Sequence, residues 1–290
     1  MVSFVIPLIS ARRAADWRLT GRLLARTLRS ILAQTDAAFR VVVVCHEAPD
    51  VPELADEQVL VEAIDFPLAV SGRDRRFHAD DRTEIGETDK GRKLLWGTRL
   101  SRELGATHIM FVDADDCISR GLAGLVDRDP QAAGWKIERG FEYAEGSESV
   151  RYKPWRFHRQ CGSGLIVRED LLPNPANPEY DRGLRYYRTF LGHEHLADDL
   201  LRAGQRLGTV PFPGAVYVLH EQNMRAGELH AGRSWWRRRS ASARGMILKR
   251  RLTDEIRAEF QLSPVDATGV ETSASGCSAT NVVDERTVHS

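Results

Sequence analysis

Apolar residues recur along the first half of the chain in two alternating rhythms. Unbroken runs come at "SFVIPLI" (3–9), "FRVVVVCHE" (39–47), "EQVLVEAID" (57–65) and Ile109-Met110-Phe111-Val112. Short continuous runs of this kind predict strands buried on both faces, as in a parallel sheet. Between the first two lies "WRLTGRLLARTLRSILAQ" (17–34), in which Leu19, Leu23, Leu24, Leu28, Ile31 and Leu32 fall on one helical face. "KLLWGTRLSREL" (93–104) predicts a second helix, stopped by Gly105. Residues 71–92 are polar, highly charged and aperiodic, which predicts a long loop. Strand–helix–strand order predicts an α/β fold, a mixed and mostly parallel Rossmann-like sheet flanked by helices.

The second half is less regular. "YKPWRFHRQCGSGLIVRED" (152–170) predicts a strand pair around a Gly-rich bend, and "HLADDLLRAGQRL" (195–207) a short helix with Gly204 near its end. "GTVPFPGAVYVLHEQN" (208–223) predicts a strand that stops at His220. Residues 233–260 read as helical and begin very basic. From Ser263 onward there is no aromatic residue and much Ser, Thr, Ala and Gly, which predicts a disordered tail. The organisation expected is one domain over 1–232, a basic helical extension over 233–262 and the tail over 263–290.

Polar chemistry gathers where the fourth strand ends. Asp113, Asp115 and Asp116 follow Ile109–Val112 directly, and clustered carboxylates are costly unless a cation or donor network compensates them. Ligands of open α/β sheets bind beyond the carboxyl ends of the strands, where Glu47 and Asp65 would also lie. Asp113-Ala114-Asp115 is a DxD pair, and hard oxygen ligands there suit Mg²⁺ or Mn²⁺ bridging to the phosphates of a nucleotide.

Composition changes little. Lys plus Arg and Asp plus Glu number 41 each, so overall charge gives no reason to expect nucleic acid. Cys45, Cys117, Cys161 and Cys277 form no CxxC pair, which argues against a zinc site or disulfide framework and fits a reducing cytoplasm. "MVSFVIPLISARR" lacks a basic leader and is broken by Pro7, so a buried first strand is expected instead of a signal peptide. No run approaches the roughly 20 apolar residues of a membrane span. Residues 233–251 carry eight basic residues and no acid beside Trp235 and Trp236. That stretch suits either peripheral contact with an anionic membrane or, as the plainer expectation, packing of its tryptophans on the domain.

Taken in order, "SFVIPLIS", "TLRSILAQTDAAFRVVVVCHEAPD" and "KLLWGTRLSRELGATHIMFVDADD" resemble successive blocks of the family-two glycosyltransferases with the GT-A fold. "GHEHLADDLLRAGQRLGTVPFPGAVYVLH" is similar to a later signature of that family. The resemblance implies a nucleotide-binding half over 1–126 and an acceptor-binding half over 127–232. It implies Pro7, Ile9 and Ser10 near the base and ribose, Glu47 near the base, and Lys93 or its neighbours Lys90 and Arg92 near the ribose or diphosphate. It further implies Asp113 and Asp115 on the metal, His220 as a ligand or phosphate contact, and Glu194 as general base. Where the family has Glu-Asp this chain has Glu194-His195, so His195 is a second candidate and Asp198 a weaker one.

The implied activity is a metal-dependent, inverting transfer of sugar from a nucleotide-sugar to a glycan or lipid-linked hydroxyl. A nucleotidyltransferase, an aspartate-dependent phosphatase and a non-catalytic carbohydrate-binding protein are the alternatives. Plainer roles stand beside these: Glu194 as a carboxylate favoured at a helix start, His220 as a hydrogen-bonded structural residue, Cys117 and Cys161 as buried packing, Trp96 and Trp155 as core.

Overall fold

A computed structural model describes residues 1–66, 81–175, 184–220 and 248–265. The strands are β1 (Val2–Pro7), β2 (Phe39–Cys45), β3 (Val59–Ala63), β4 (His108–Phe111), β5 (Cys117–Ile118), β6 (Gly134–Lys136), β7 (Gly140–Ala144), β8 (Ser149–Lys153), β9 (Leu165–Arg168), β10 (Gly208–Thr209), β11 (Ala215–Leu219) and β12 (Lys249–Arg251). The helices are α1 (Trp17–Leu32), α2 (Asp81–Glu103), α3 (Ala123–Arg128), α4 (Arg188–Leu191), α5 (His193–Arg202) and α6 (Asp254–Phe260).

The first sheet runs β10-β6-β9-β4-β1-β2-β3. Strands β4, β1, β2 and β3 are parallel neighbours, and β9 is antiparallel to both β4 and β6. The four valines of β2 serve both faces because side chains alternate along a strand. Val41 and Val43 pack with Leu24, Leu28 and Ile31 of α1, whereas Val42 and Val44 pack with Leu94 and Leu95 of α2. Each such burial contributes roughly 1.5–3 kcal/mol. Helix α1 starts where the Asp16 carboxylate accepts the Leu19 N–H at 3.0 Å. Helix α2 ends where Gly105 adopts φ 77°, a left-handed stop that glycine takes without strain. A Cβ on Gly97 would lie 2.3 Å from Val5 Cγ1, so this glycine lets α2 settle onto β1.

The loop predicted over 71–92 is corrected from Asp81 onward, where α2 begins; residues 71–80 lie outside the described residues. The period is missing because the face this helix turns inward is polar: Thr88, Asp89, Arg92 and Lys93 are all buried.

The second sheet runs β12-β8-β7-β11-β5. The strand pair predicted around the Gly-rich bend is split, since β8 belongs to this sheet and β9 to the first. Lys249–Arg251 is a strand and not helix, antiparallel to β8, and α6 follows it. Phe260 of α6 meets Phe141 edge-on at 5.8 Å within a cluster that includes Tyr143, Val150 and Val218. Arg26 of α1, wholly buried, donates to Glu145 at 2.9 Å and to the Ser263 carbonyl at 3.0 Å. Residues 249–265 are thereby part of the domain's packing. Residues 233–247 of the helix predicted over 233–260, with its basic tryptophan pair, and residues 266–290 of the tail predicted from 263 fall outside the described residues. Among the described residues no helix is long and apolar enough to cross a membrane.

Candidate active site

The chain lays down β1, β2 and β3 outward in one direction, then returns to place β4 on the other side of β1. Between the carboxyl ends of β1 and β4 the order reverses, and a crevice must open there because successive connections diverge. A cavity of about 410 Å³ occupies that place. Pro7, Leu8 and Ile9 form one wall from the end of β1, and Asp113 to Asp115 another from the end of β4. The polar face of α2 gives Glu87, Asp89, Lys90 and Lys93, the loop before α1 gives Arg13, and His220 closes the ring from the end of β11.

The three aspartates lie together, each compensated differently. Asp113 Oδ1 is 2.6 Å from Lys90 Nζ. Asp115 Oδ2 is 2.7 Å from His220 Nε2. Asp116 is fully buried and accepts from Ser163 Oγ at 2.7 Å, Cys161 Sγ at 3.1 Å and the Val218 N–H at 3.2 Å. Burial first, then the neighbouring Asp115 and Asp113, pushes its carboxyl well above the usual carboxylate range. Burial works against the Lys90 ammonium, but Asp113 beside it outweighs this and raises its pKa, so Lys90 stays cationic.

The Gly-rich bend completes the support. A Cβ on Gly162 would stand 2.4 Å from Asp113 Oδ2, so only glycine allows this approach. Ser163 Oγ accepts the Asp113 N–H at 2.9 Å while donating to Asp116, coupling the two acids through one hydroxyl.

Of the residues singled out from sequence, Pro7, Ile9, Lys93, Asp113, Asp115 and His220 line the one cavity. Lys93 lies in its wall with a committed charge: its ammonium donates to the Leu8 carbonyl at 2.6 Å and to Asp89 at 2.7 Å. Ser10 is buried beside the cavity wall, and its hydroxyl has no partner among the described residues. Glu47 is engaged elsewhere, accepting the Ala11 N–H at 3.1 Å and fixing the turn after β1. Neither Ser10 nor Glu47 lines the cavity.

The base candidates distribute differently. Glu194 and His195 sit on the first turn of α5 with side chains 60% and 55% exposed, and neither lines the cavity. Asp198 pairs with Arg159 at 2.5 Å in a separate basin. The residue of this turn that comes to the acidic cluster is His193, which shares a narrow void with Lys90, Asp113 and Gly162. Burial lowers its pKa against the pull of Asp113, so its imidazole is neutral near neutral pH. Sequence reasoning passed over His193 and Arg13, and the "GHEH" string offers no cue as to which of its members turns inward. Trp96, as expected, packs against Phe66 at 5.5 Å, whereas Trp155 is 58% exposed and not core.

Asp113 and Asp115 match the oxygen chemistry of Mg²⁺ or Mn²⁺, which bind through one or two carboxylates and complete their shell with phosphate oxygens and water. Among the described residues no three His, Cys, Asp or Glu side chains are set to hold an ion by themselves, and His220 spends its Nε2 on Asp115. The pair fits an ion that completes its shell with ligands from outside the protein.

No family model matches the sequence, and no curated protein matches it either. Among solved structures the chain is similar to TarS of S. aureus, at 13% identity and TM-score 0.42, covering 75% of this chain and 36% of that one. It is also similar to TarS 1–349 in complex with UDP-GlcNAc, at 13% identity and TM-score 0.41, covering 76% and 59%. A third is a protein of Desulfovibrio desulfuricans G20 provisionally assigned as a nucleotide-diphospho-sugar transferase, at 12% identity and TM-score 0.34, covering 83% and 87%. The chain thus spans about a third of the length of that TarS chain. The functional reading rests on the site's own geometry.

Proposed function

We propose that the protein transfers a sugar from a nucleoside-diphosphate donor to a hydroxyl of a glycan or lipid-linked acceptor, with inversion. One observation carries the reading: Lys90 on Asp113 and His220 on Asp115 stand in the wall of a 410 Å³ cavity at the reversal point of a parallel sheet. Apolar Pro7, Leu8 and Ile9 suit a base and ribose, and the cations Lys90 and Arg13 suit diphosphate oxygens. An ion held by Asp113 and Asp115 would supply charge compensation for the departing diphosphate.

The remaining chemistry belongs to the side chains. Lys90, kept cationic by Asp113, orients the diphosphate so that the anomeric carbon faces the acceptor. As the acceptor oxygen bonds to that carbon, the bond to the phosphate oxygen breaks and the hydroxyl proton passes to a base. We assign the base to the first turn of α5, with Glu194 as its carboxylate. A second reading gives the proton to His193, which is favoured by its neutral imidazole lying beside Asp113 and Lys90.

Calorimetry tests the proposal with nucleoside diphosphates and with UDP-GlcNAc, the ligand of the TarS fragment. Binding strengthened by Mn²⁺, and losing that increment in Asp115→Asn, is the expected result; no binding by any of them refutes it. Glu194→Gln and His193→Gln then separate the two bases. The true base is the one whose loss stops transfer while donor affinity stays within about twofold.

A further inference from the structure

A second basin of about 250 Å³ opens between α5, the end of β6 and the turn at Phe157–Arg159. Its walls carry four cations and two carboxylates. Lys136 is neutralised by Glu138 at 2.7 Å and Arg159 by Asp198 at 2.5 Å. Arg156 and Arg206 also line the basin, and neither guanidinium has a carboxylate partner among the described residues. In a chain with no net charge, this is a local cationic excess within a concavity, which concentrates anions.

The basin is built, not merely coated with surface charge. His158 lines it, is 4% exposed, and its Nδ1 makes no hydrogen bond among the described residues, with Glu138 Oε1 no closer than 3.9 Å. Arg156 stands at φ 54° and ψ 29°, a left-handed conformation that costs a side-chain-bearing residue of order 1 kcal/mol. It is held there by its N–H, which donates to Glu138 Oε2 at 2.9 Å. Such strain is retained where the surroundings over-determine it, which is common where a side chain must meet a ligand. Trp155, the preceding residue, is exposed beside this turn without lining the basin.

Chain geometry ties this basin to the acidic cluster. Only Gln160 and Cys161 separate Arg159 from Gly162, so their Cα atoms lie within about 11 Å of each other. Gly162 abuts Asp113. A short oligosaccharide bridges that distance.

We infer that this basin holds an anionic oxyacid group, a phosphate or a carboxylate, carried by the acceptor, so that the acceptor is an acidic chain and not a neutral glycan. The inference rests on the transferase reading above. Arg156 and Arg206 would meet the oxyanion in the forked geometry that guanidinium groups share with phosphate and carboxylate, and His158 would add a hydrogen bond.

The test is calorimetry on the full chain with glycerol 3-phosphate and with glucuronate, glucose serving as the neutral control. Wild type is expected to bind both anions and not glucose. The double variant Arg156→Gln/Arg206→Gln is expected to lose at least tenfold in anion affinity while its UDP-GlcNAc affinity stays unchanged. Should the double variant not fold, Arg206→Gln alone, at an exposed position, is expected to lose about threefold, a fraction of the pair's effect. Equal anion binding by variant and wild type, or binding of glucose as strong as that of the anions, overturns the inference and leaves the transferase reading in place. Anion binding without any nucleotide-sugar binding overturns the acceptor role of the basin together with that reading. Preference for glycerol 3-phosphate over glucuronate would identify a phosphate-bearing chain, and the reverse a carboxylate-bearing one.

Discussion

Helices α1 and α2 cover opposite faces of one sheet, yet they contribute to the cavity very differently. Helix α1 packs Leu24, Leu28 and Ile31 on the sheet, buries Arg26 against Glu145, and gives only Thr20 and Leu23 to the cavity wall. The first half of α2 turns Thr88, Asp89, Arg92 and Lys93 inward, and only from Leu94 does it become an ordinary apolar helix. The polar half borders the cavity and the apolar half the sheet. A helix can thus be stable while half of its inner face is charged, provided each charge finds a partner there.

This contrast can be broken most sharply at Lys93. Lys93→Met leaves Asp89 buried without its cation and is expected to cost about 3–5 kcal/mol in urea unfolding. The double variant Lys93→Met/Asp89→Leu should recover much of that loss. A single variant as stable as wild type would mean that the pair is not structural. On the other helix, Leu28→Ala should cost about 3 kcal/mol by leaving a cavity in the core, with nucleotide affinity unchanged. A weakened nucleotide affinity there would contradict the division of labour.

Lys90, one turn before Lys93, distinguishes site from scaffold. Its side chain is a third exposed, so Lys90→Met should alter stability by less than about 1 kcal/mol. Its loss is nevertheless expected to weaken diphosphate binding about tenfold in EDTA, a difference of about 1.4 kcal/mol. Unchanged affinity would remove Lys90 from the donor site.

The smallest effect concerns protons. Burial lowers the pKa of His108, so the unfolded chain takes up this proton first as pH falls below about 6.5. His108 therefore contributes stability above that value and loses it on acidification. Asp116 acts in the other sense, because its raised pKa makes the folded chain the stronger proton binder in acid. The informative quantity is thus a difference. Between pH 7.5 and 5.5, His108→Gln should lose less stability than wild type in paired thermal melts. Identical pH slopes would refute it.

The legible parts of the molecule were those whose neighbours in sequence are also their partners in chemistry. The strands β1 to β4, helix α1 and the acidic end of β4 all follow from apolar runs and spacing that a single element contains. Helix α2 was hidden from Asp81 to Arg92 because period-based reading looks for an apolar stripe, and here the stripe is Asp89, Arg92 and Lys93. "GHEH" drew attention to the first turn of α5, but which of His193, Glu194 and His195 turns toward Asp113 depends on how α5 lies against it, which no local pattern encodes.

By itself the amino-acid order determined a parallel α/β core and a cluster of acids at the end of β4, because hydrophobic burial and strand alternation act over a few residues. Only the folded chain decided that Lys90 and His220 meet those acids from 23 and 105 residues away. It also decided that residues 249–265 complete the second sheet and its core, and that Arg156 and Arg206 have no carboxylate partner among the described residues in a basin beside α5. The physical reason is that charge compensation acts through space: a carboxylate's partner is fixed by the packing of whole elements, not by its position along the chain.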